Sequence, residues 1–397
     1  MTPKSKLLLS ALPALLFFAA PVNAATILGW NKDNVDVGTD PATVGDTGVS
    51  VVYDRDATDP NAVTNGRIAF TPPEAVSPGI YVVPETYTQG GSDPLTLDGC
   101  IMTSNPTATC TSPFQSGKRV KTQVTDTGPI DLVFDLAQGA ESNYQVFYRL
   151  INQTMQSLDG FSLELGFGVG DSFQQASATD GVTFSTAFQA QPASAGASST
   201  TQFPFGLFGD AISNPNFSLD GFFAPERAGL NVLQTETTLT STGFFGPYDG
   251  LFGSWLSQES VPMGAFWDND NDASTDALLM AWYTDGSWEM RRDVLDLVAG
   301  TAKSLTGVDV EYFTDFSALV ARLGLGDALF EDAIEDLANL NVNFAINLSD
   351  SIQYQSFTLR TTTYPTVTTV PLPFSAPLLA GGVGFLTLVT RRRRKTS

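Results

Sequence analysis

The sequence contains no histidine. That absence removes every mechanism built on an imidazole, including Ser-His-Asp hydrolysis, Cys-His proteolysis and His-ligated zinc or haem. Cysteine is almost absent too, Cys100 and Cys110 being the only two. As a metal or redox pair they have the wrong spacing and no further ligands. The expectation is one structural disulfide formed in an oxidising compartment, worth about 3 kcal/mol for a loop this short. Positive charge is scarce as well: 20 Lys and Arg stand against 42 Asp and Glu. Seven of the 20 basic residues lie in the terminal segments, which hold no acid, so the body has 13 against 42, a net charge near −29. Such a body repels nucleic acid and anionic headgroups and favours solubility, divalent cations and a salty exterior. No nucleic-acid partner is expected.

The two ends carry the clearest signals. Lys4 and Lys6 precede an apolar stretch from Leu7 to Ala20, followed by Pro21-Val22-Asn23-Ala24. This is the layout of a signal peptide, with small residues where a signal peptidase reads, and cleavage is expected after Ala24. A membrane-spanning reading of the same stretch is weaker, because it is short and interrupted by Pro13 and Pro21. At the other end stand Val370, Pro371, Leu372 and Pro373, then the largely apolar Phe374 to Thr390, then Arg391, Arg392, Arg393, Arg394 and Lys395. Those 17 apolar-segment residues reach the lower limit for a spanning helix, and the basic block would stop transfer and stay cytoplasmic, leaving the body outside. A surface or core helix would not need such a block.

This tail resembles the bacterial sorting signals called PEP-CTERM, in particular the variant with a Val-Pro-Leu-Pro-Ala motif; here Phe374 stands in place of the Ala. The resemblance implies recognition by an exosortase-type membrane protease, removal of the tail, and release or attachment at the surface of a Gram-negative bacterium that makes exopolysaccharide.

Between the ends the pattern is mainly β, with a body spanning about residues 25–360, long enough for one large domain or two smaller ones. Phe161, Leu163, Leu165, Phe167 and Val169 alternate with Ser162, Glu164, Gly166 and Gly168, the period of a strand with one buried face. Similar runs occur at Ser50 to Tyr53, Asp131 to Leu136, Tyr144 to Ile151, Val182 to Phe188, Leu278 to Tyr283, Val342 to Leu348 and Ser356 to Thr362. Frequent Gly and Pro punctuate them, which predicts a sandwich or jelly roll. A short helical hairpin is expected near 314–340. Phe316, Leu319, Val320 and Leu323 share a helical face behind a Thr314 or Asp315 cap, and Phe330, Ile334 and Leu337 repeat the spacing after Gly326-Asp327. The Thr-rich residues 361–370 read as a stalk leading to the sorting signal at 371–397 and its transmembrane helix.

Two local echoes, Ser157 to Phe161 with Ser218 to Phe222 and Gly206 to Gly209 with Gly250 to Gly253, are offset by 61 and 44 residues, so no repeat array is predicted. With Ile27 to Asn31, Ala69 to Glu74, the Cys100 to Cys110 loop and Phe266-Trp267-Asp268, the body as a whole resembles the exported group described as choice-of-anchor F proteins. The resemblance implies topology and sorting, and no reaction.

For chemistry, Asp268, Asp270, Asp272 and Asp276 match places 1, 3, 5 and 9 of a calcium loop. Ala273 stands where its Gly should be and Leu279 where its closing Glu should be. Uncompensated, carboxylates so close repel by roughly 1 kcal/mol per pair in water. The alternative is an Asx-rich turn. No carboxylate pair is singled out for glycoside hydrolysis; Glu164 and Glu289 both have solvated explanations. Trp30, Trp255, Trp267, Trp282 and Trp288 form either a carbohydrate-stacking platform or core. Gly166-Phe167-Gly168-Val169-Gly170 lacks the third required Gly of a dinucleotide fingerprint, Asp171 being there instead, and its glycines are expected to admit a close neighbour. Asn152-Gln153-Thr154 and Asn347-Leu348-Ser349 are glycosylation sequons in form only, since the tail is bacterial.

The expectation is an exported, non-enzymatic structural, adhesive or extracellular-matrix protein, without a cofactor unless calcium. Its alternatives are a carbohydrate-binding or carbohydrate-active module acting on exopolysaccharide, or a periplasmic domain retained on the inner membrane. The implied partners are signal peptidase, the sorting protease, exopolysaccharide, and a membrane reached through the C-terminal helix.

Overall fold

The computed structural model describes residues 26–89, 94–112, 116–139, 141–188, 218–220, 229–245, 255–271, 277–305 and 307–365. They build two large sheets packed over one core, with a smaller third layer on the side. The first sheet runs in the order Thr26–Trp30, Ile130–Ala137, Ser356–Pro365, Leu158–Phe167, Thr238–Phe245, Gly229–Gln234, with Gln174–Gln175 added to Leu158–Phe167. The second runs Val182–Phe184, Asn339–Leu348, Ser142–Asn152, Val120–Val124, Thr64–Phe70, Gly48–Tyr53, Val35–Asp36. Beside Val120–Val124, the strand Leu95–Met102 also pairs in parallel with Ser142–Asn152, and Tyr81–Gln89 pairs with it in turn.

The strand Asn339–Leu348 shows why the chain folds this way. Leu340, Val342, Phe344, Ile346 and Leu348 fall on one face and enter the main core, while Asn339, Asn341, Asn343 and Asn347 fall on the other. Its partner contributes Tyr144, Val146, Tyr148 and Leu150 to the same core. Across the gap the first sheet supplies Leu132, Phe134, Phe161, Leu163, Leu165, Phe357 and Leu359. Phe134 stacks on Phe357 with centroids 5.3 Å apart, and the Tyr148 hydroxyl meets Thr361 Oγ1 at 3.0 Å across the sheets. Each such fully buried apolar side chain contributes about 1.5–3 kcal/mol.

The third layer is a five-stranded sheet in the order Glu311–Phe313, Ser287–Met290, Leu278–Thr284, Met263–Trp267, Leu329–Ala333. One face sends Phe266, Leu279 and Trp282 into the main core. The other sends Ala265, Trp267, Leu278, Met280 and Ala281 into a second cluster with Leu319 and Leu323 of the helix Phe316–Leu323. Met280 and Ala281 share that side because the pairing slips between Ala265 and Phe266, a bulge that shifts the strand's phase by one residue. The continuous apolar run Ala277 to Trp282 is therefore a strand buried on both faces.

Four expectations need correction. The helical hairpin is half realised: Asp315 caps the helix Phe316–Leu323, accepting from Ala318 N at 2.8 Å, and Gly324 ends it in the left-handed region at φ 70°. The second helix is replaced by the strand Leu329–Ala333 and a 3-10 turn at Glu335–Leu337. Phe330 lies opposite Phe266 and stacks on it at 5.7 Å, so pairing with the open edge of Met263–Trp267 overrides the helical spacing. The stalk does not begin at 361, because residues 361–365 complete the strand Ser356–Pro365, with Thr361 and Thr363 buried. Threonine is β-branched, and a Thr-rich run suits a pleated, half-buried surface. The fold as expected also included a C-terminal transmembrane helix. Among the described residues no helix is long and apolar enough to cross a membrane, the one α-helix having eight residues where a span needs about 20. Residues 371–397 and the signal peptide with Ala24 lie outside the described residues.

Finally, the strand expected at Phe161 to Val169 is Leu158–Phe167. It ends where Gly168 adopts φ 80°, and a Cβ on Gly166 would collide with the carbonyl oxygen of Gln174, so the glycines do admit a close neighbour.

Candidate functional site

Cys100, in the strand Leu95–Met102, and Cys110, in the loop beyond it, form the expected disulfide, with Cα atoms 5.8 Å apart. Both are buried, packed with Met102 and Phe147. The loop is tied down at two more points. Glu85 Oε2 accepts from Cys110 N at 2.6 Å and Oε1 from Thr111 Oγ1 at 2.6 Å. From beneath, Lys118 Nζ donates to the carbonyls of Cys110, at 2.9 Å, and Ser112, at 2.6 Å, and lies 4.3 Å from the centre of the Phe147 ring. Lys118 is only 2% exposed. Burial pushes its ammonium down to about 8; Glu85 opposes that shift and Arg119 adds to it.

A lysine whose folded-state pKa lies below its free value of 10.5 binds fewer protons in the native than in the unfolded state between those values. Stability therefore rises with pH through that window. Tyr87, Tyr144 and Tyr148 are shifted upward by burial, so their contribution is lost as pH passes about 10. The expected result is a rise in unfolding free energy from pH 8 to about 10, followed by a fall. Lys118→Met should flatten the rise, as denaturant titrations at fixed pH would show. Breaking the disulfide, by Cys100→Ser with Cys110→Ser, should cost about 3 kcal/mol, and a melting curve unchanged by the double substitution would contradict this.

The described start of the acidic loop, Asp268 to Asn271, is an Asx turn. Asp268 Oδ1 accepts from the backbone N–H groups of Asp270, at 3.1 Å, and Asn271, at 2.8 Å, and Asn271 is left-handed at φ 54°. One oxygen of that carboxylate is thus used by the loop's own backbone. Asp272 and Asp276 lie outside the described residues, and among the described residues no group of three or more acids or cysteines is placed to hold a metal ion.

The tryptophans do not make a platform. Trp30, Trp255, Trp267, Trp282 and Trp288 are all buried, none more than 7% exposed. Glu289, read from sequence as solvated, is also buried and ion-paired with Arg291, whose guanidinium lies 5.2 Å from the centre of the Trp282 ring. The pairing with Glu311–Phe313 covers it, and that strand's position is not visible locally.

Sequence reasoning missed a buried ion pair. Asp131, with a side chain 1% exposed, and Arg360 are register neighbours on adjacent strands and form two parallel bonds, each 2.7 Å. Arg360 also donates to the Gly170 carbonyl at 2.7 Å, and Gly170 N donates to Asp131 Oδ2 at 2.7 Å. The available signal was charge inside two apolar or Thr-rich strand runs, Asp131 and Asp135 in Pro129 to Ala137 and Arg360 in Ser356 to Thr363. Compared with known proteins, the chain matches no family model, no curated protein and no solved structure.

Proposed function

We propose that this chain is an exported, non-enzymatic structural or adhesive protein of a Gram-negative cell surface or extracellular matrix. Signal peptidase cleaves it after Ala24, and an exosortase-type protease sorts it by the Val370-Pro371-Leu372-Pro373 motif and the basic block Arg391 to Lys395. Kinship with the choice-of-anchor F group belongs to the same proposal. The observation that carries it is the pair of cysteines, closed as a buried disulfide within a β body whose first strand starts at Thr26, two residues past the proposed cut. Disulfides persist in oxidising compartments, and a cut after Ala24 leaves the described fold whole. The burial of all five tryptophans supports a scaffold over a sugar-stacking enzyme groove.

The test is mass spectrometry of the protein from a producing cell, with thiol labelling before and after reduction. A mature chain starting at Ala25, lacking the basic block and labelling only after reduction is the expected outcome. A full-length cytosolic chain with two free thiols would overturn the proposal.

A further inference from the structure

We infer that the end of the body remote from the sorting tail binds an uncharged polysaccharide. Strand register fixes which end that is. In the first sheet Ser356 lies opposite Asp135 and Thr26 opposite Ala137, while Pro365, the last described residue, lies opposite Leu158. Ser356 and Pro365 are the two ends of one ten-residue strand, about 30 Å apart. The tail follows Pro365 in the chain, so the Ser356 end points away from whatever the tail is attached to.

An open cleft of about 570 Å³ lies at that end, lined by Leu28, Asp135, Leu136, Gln138 and Gln355. Leu28 is 66% exposed and offers an apolar surface to the C–H face of a sugar ring. Gln138 and Gln355 are exposed, and their amides form no hydrogen bond with a described residue. Asp135 Oδ1 accepts from Asn31 Nδ2 at 3.0 Å, which leaves Oδ2 for a ligand hydroxyl. Across the strand Ser356–Pro365, on its Leu158–Phe167 side, Tyr354 stacks on Phe167 with ring centroids 3.5 Å apart and planes 17° from parallel. That contact closes one face of the tyrosine ring. Tyr354 is nonetheless 42% exposed, so its exposure belongs to the opposite face and the rim. Gln174 lies opposite Phe167 in register and is exposed as well. Cleft and ring thus flank one strand, about 10 Å or two strand spacings apart, and a short run of sugar rings reaches both.

The ligand's chemistry follows from what this end holds and what it lacks. A glutamine amide both donates and accepts, which matches a sugar hydroxyl, itself donor and acceptor, and the half-open tyrosine ring matches the apolar face of a sugar. Residues 137–142, 174–181, 234–237 and 349–355 join the strands here, and they contain Glu141, Asp180, Glu236 and Asp350 but no Lys or Arg. A polyanion meets repulsion with no counter-charge, which leaves neutral, hydroxyl-rich chains. The inference rests on the sorting reading only for the statement that this end points outward. Binding is measured in solution, so its failure and the failure of the export test are separate results.

The experiment is affinity gel electrophoresis of the mature protein purified from the producing cell. Separate gels hold hydroxyethylcellulose, galactomannan, dextran or the neutral polysaccharide shed by that cell, with polygalacturonate as the anionic comparison. At least one neutral polymer should retard the protein, with added salt leaving the retardation unchanged, and polygalacturonate should not retard it. Gln138→Ala with Gln355→Ala should weaken binding by about tenfold, or about 1.4 kcal/mol, with an unchanged melting temperature, and Tyr354→Ala should weaken it at least as much. Gln156→Ala, which removes an exposed glutamine near Leu158 at the opposite end, should bind as the parent does. No retardation by any neutral polymer, equal retardation by polygalacturonate, a cleft double variant that binds as tightly as the parent, or an equal loss in Gln156→Ala would each overturn the inference.

Discussion

Arg360→Ala is expected to lower the unfolding free energy by about 3–5 kcal/mol, because it strands a buried carboxylate. Asp131 would keep only the Gly170 N–H from the present network, and the Gly170 carbonyl would keep only the Phe173 N–H, at 3.2 Å. The guanidinium carbon also lies 3.8 Å from the centre of the Phe173 ring, so the truncation removes packing as well as charge. For a domain this large the loss corresponds to a melting-temperature drop of roughly 4–7 °C. Arg360→Lys keeps the charge but not the fork, and should recover part of the loss. Replacing both partners with leucine should cost less than Arg360→Ala alone, since no uncompensated charge remains. Denaturant unfolding of the three variants distinguishes these cases. A loss under about 1 kcal/mol for Arg360→Ala would mean that the pair behaves like an exposed one.

Trp255→Ala should be of similar size, about 3–5 kcal/mol, for a different reason. Trp255 is fully buried, meets Phe161 edge-on with centroids 6.4 Å apart, and donates from its indole N–H to the Ala338 carbonyl at 2.6 Å. Its backbone exchanges two hydrogen bonds with Leu158, at 2.8 and 2.9 Å, at the start of the strand Leu158–Phe167. Truncation therefore opens a large cavity and removes one of the two donors to the Ala338 carbonyl, which keeps the Asn152 N–H at 3.0 Å. Trp255→Phe fills most of the space and lacks only the donor, so it should cost about 1–2 kcal/mol. Near-UV circular dichroism with thermal melting would measure both. Equal losses for Ala and Phe would place the whole effect on the hydrogen bond.

The same residues show how much of the fold was legible along the chain. Asn-Leu-Asn-Val-Asn-Phe-Ala-Ile-Asn-Leu at 339–348 reads as a half-buried strand and is one, because its period is a property of ten consecutive residues. Phe316 to Leu323 reads as a helix and is one, its cap and its Gly stop both being local. Phe330, Ile334 and Leu337 carried an equally good helical spacing and failed. Their outcome depended on an open strand edge more than 60 residues earlier, at Met263–Trp267. The tryptophans were ambiguous for a related reason, since an aromatic side chain is the same chemical object in a core and on a platform.

Composition and order along the chain were enough for the missing imidazole, the acidic body, the single disulfide and the alternation of the strands. All of these are counts or periods that need no partner. Which strands become neighbours was decided only in three dimensions, because backbone pairing and the burial of two sheet faces act between segments remote in sequence. That long-range step brings Asp131 to Arg360, 229 residues away.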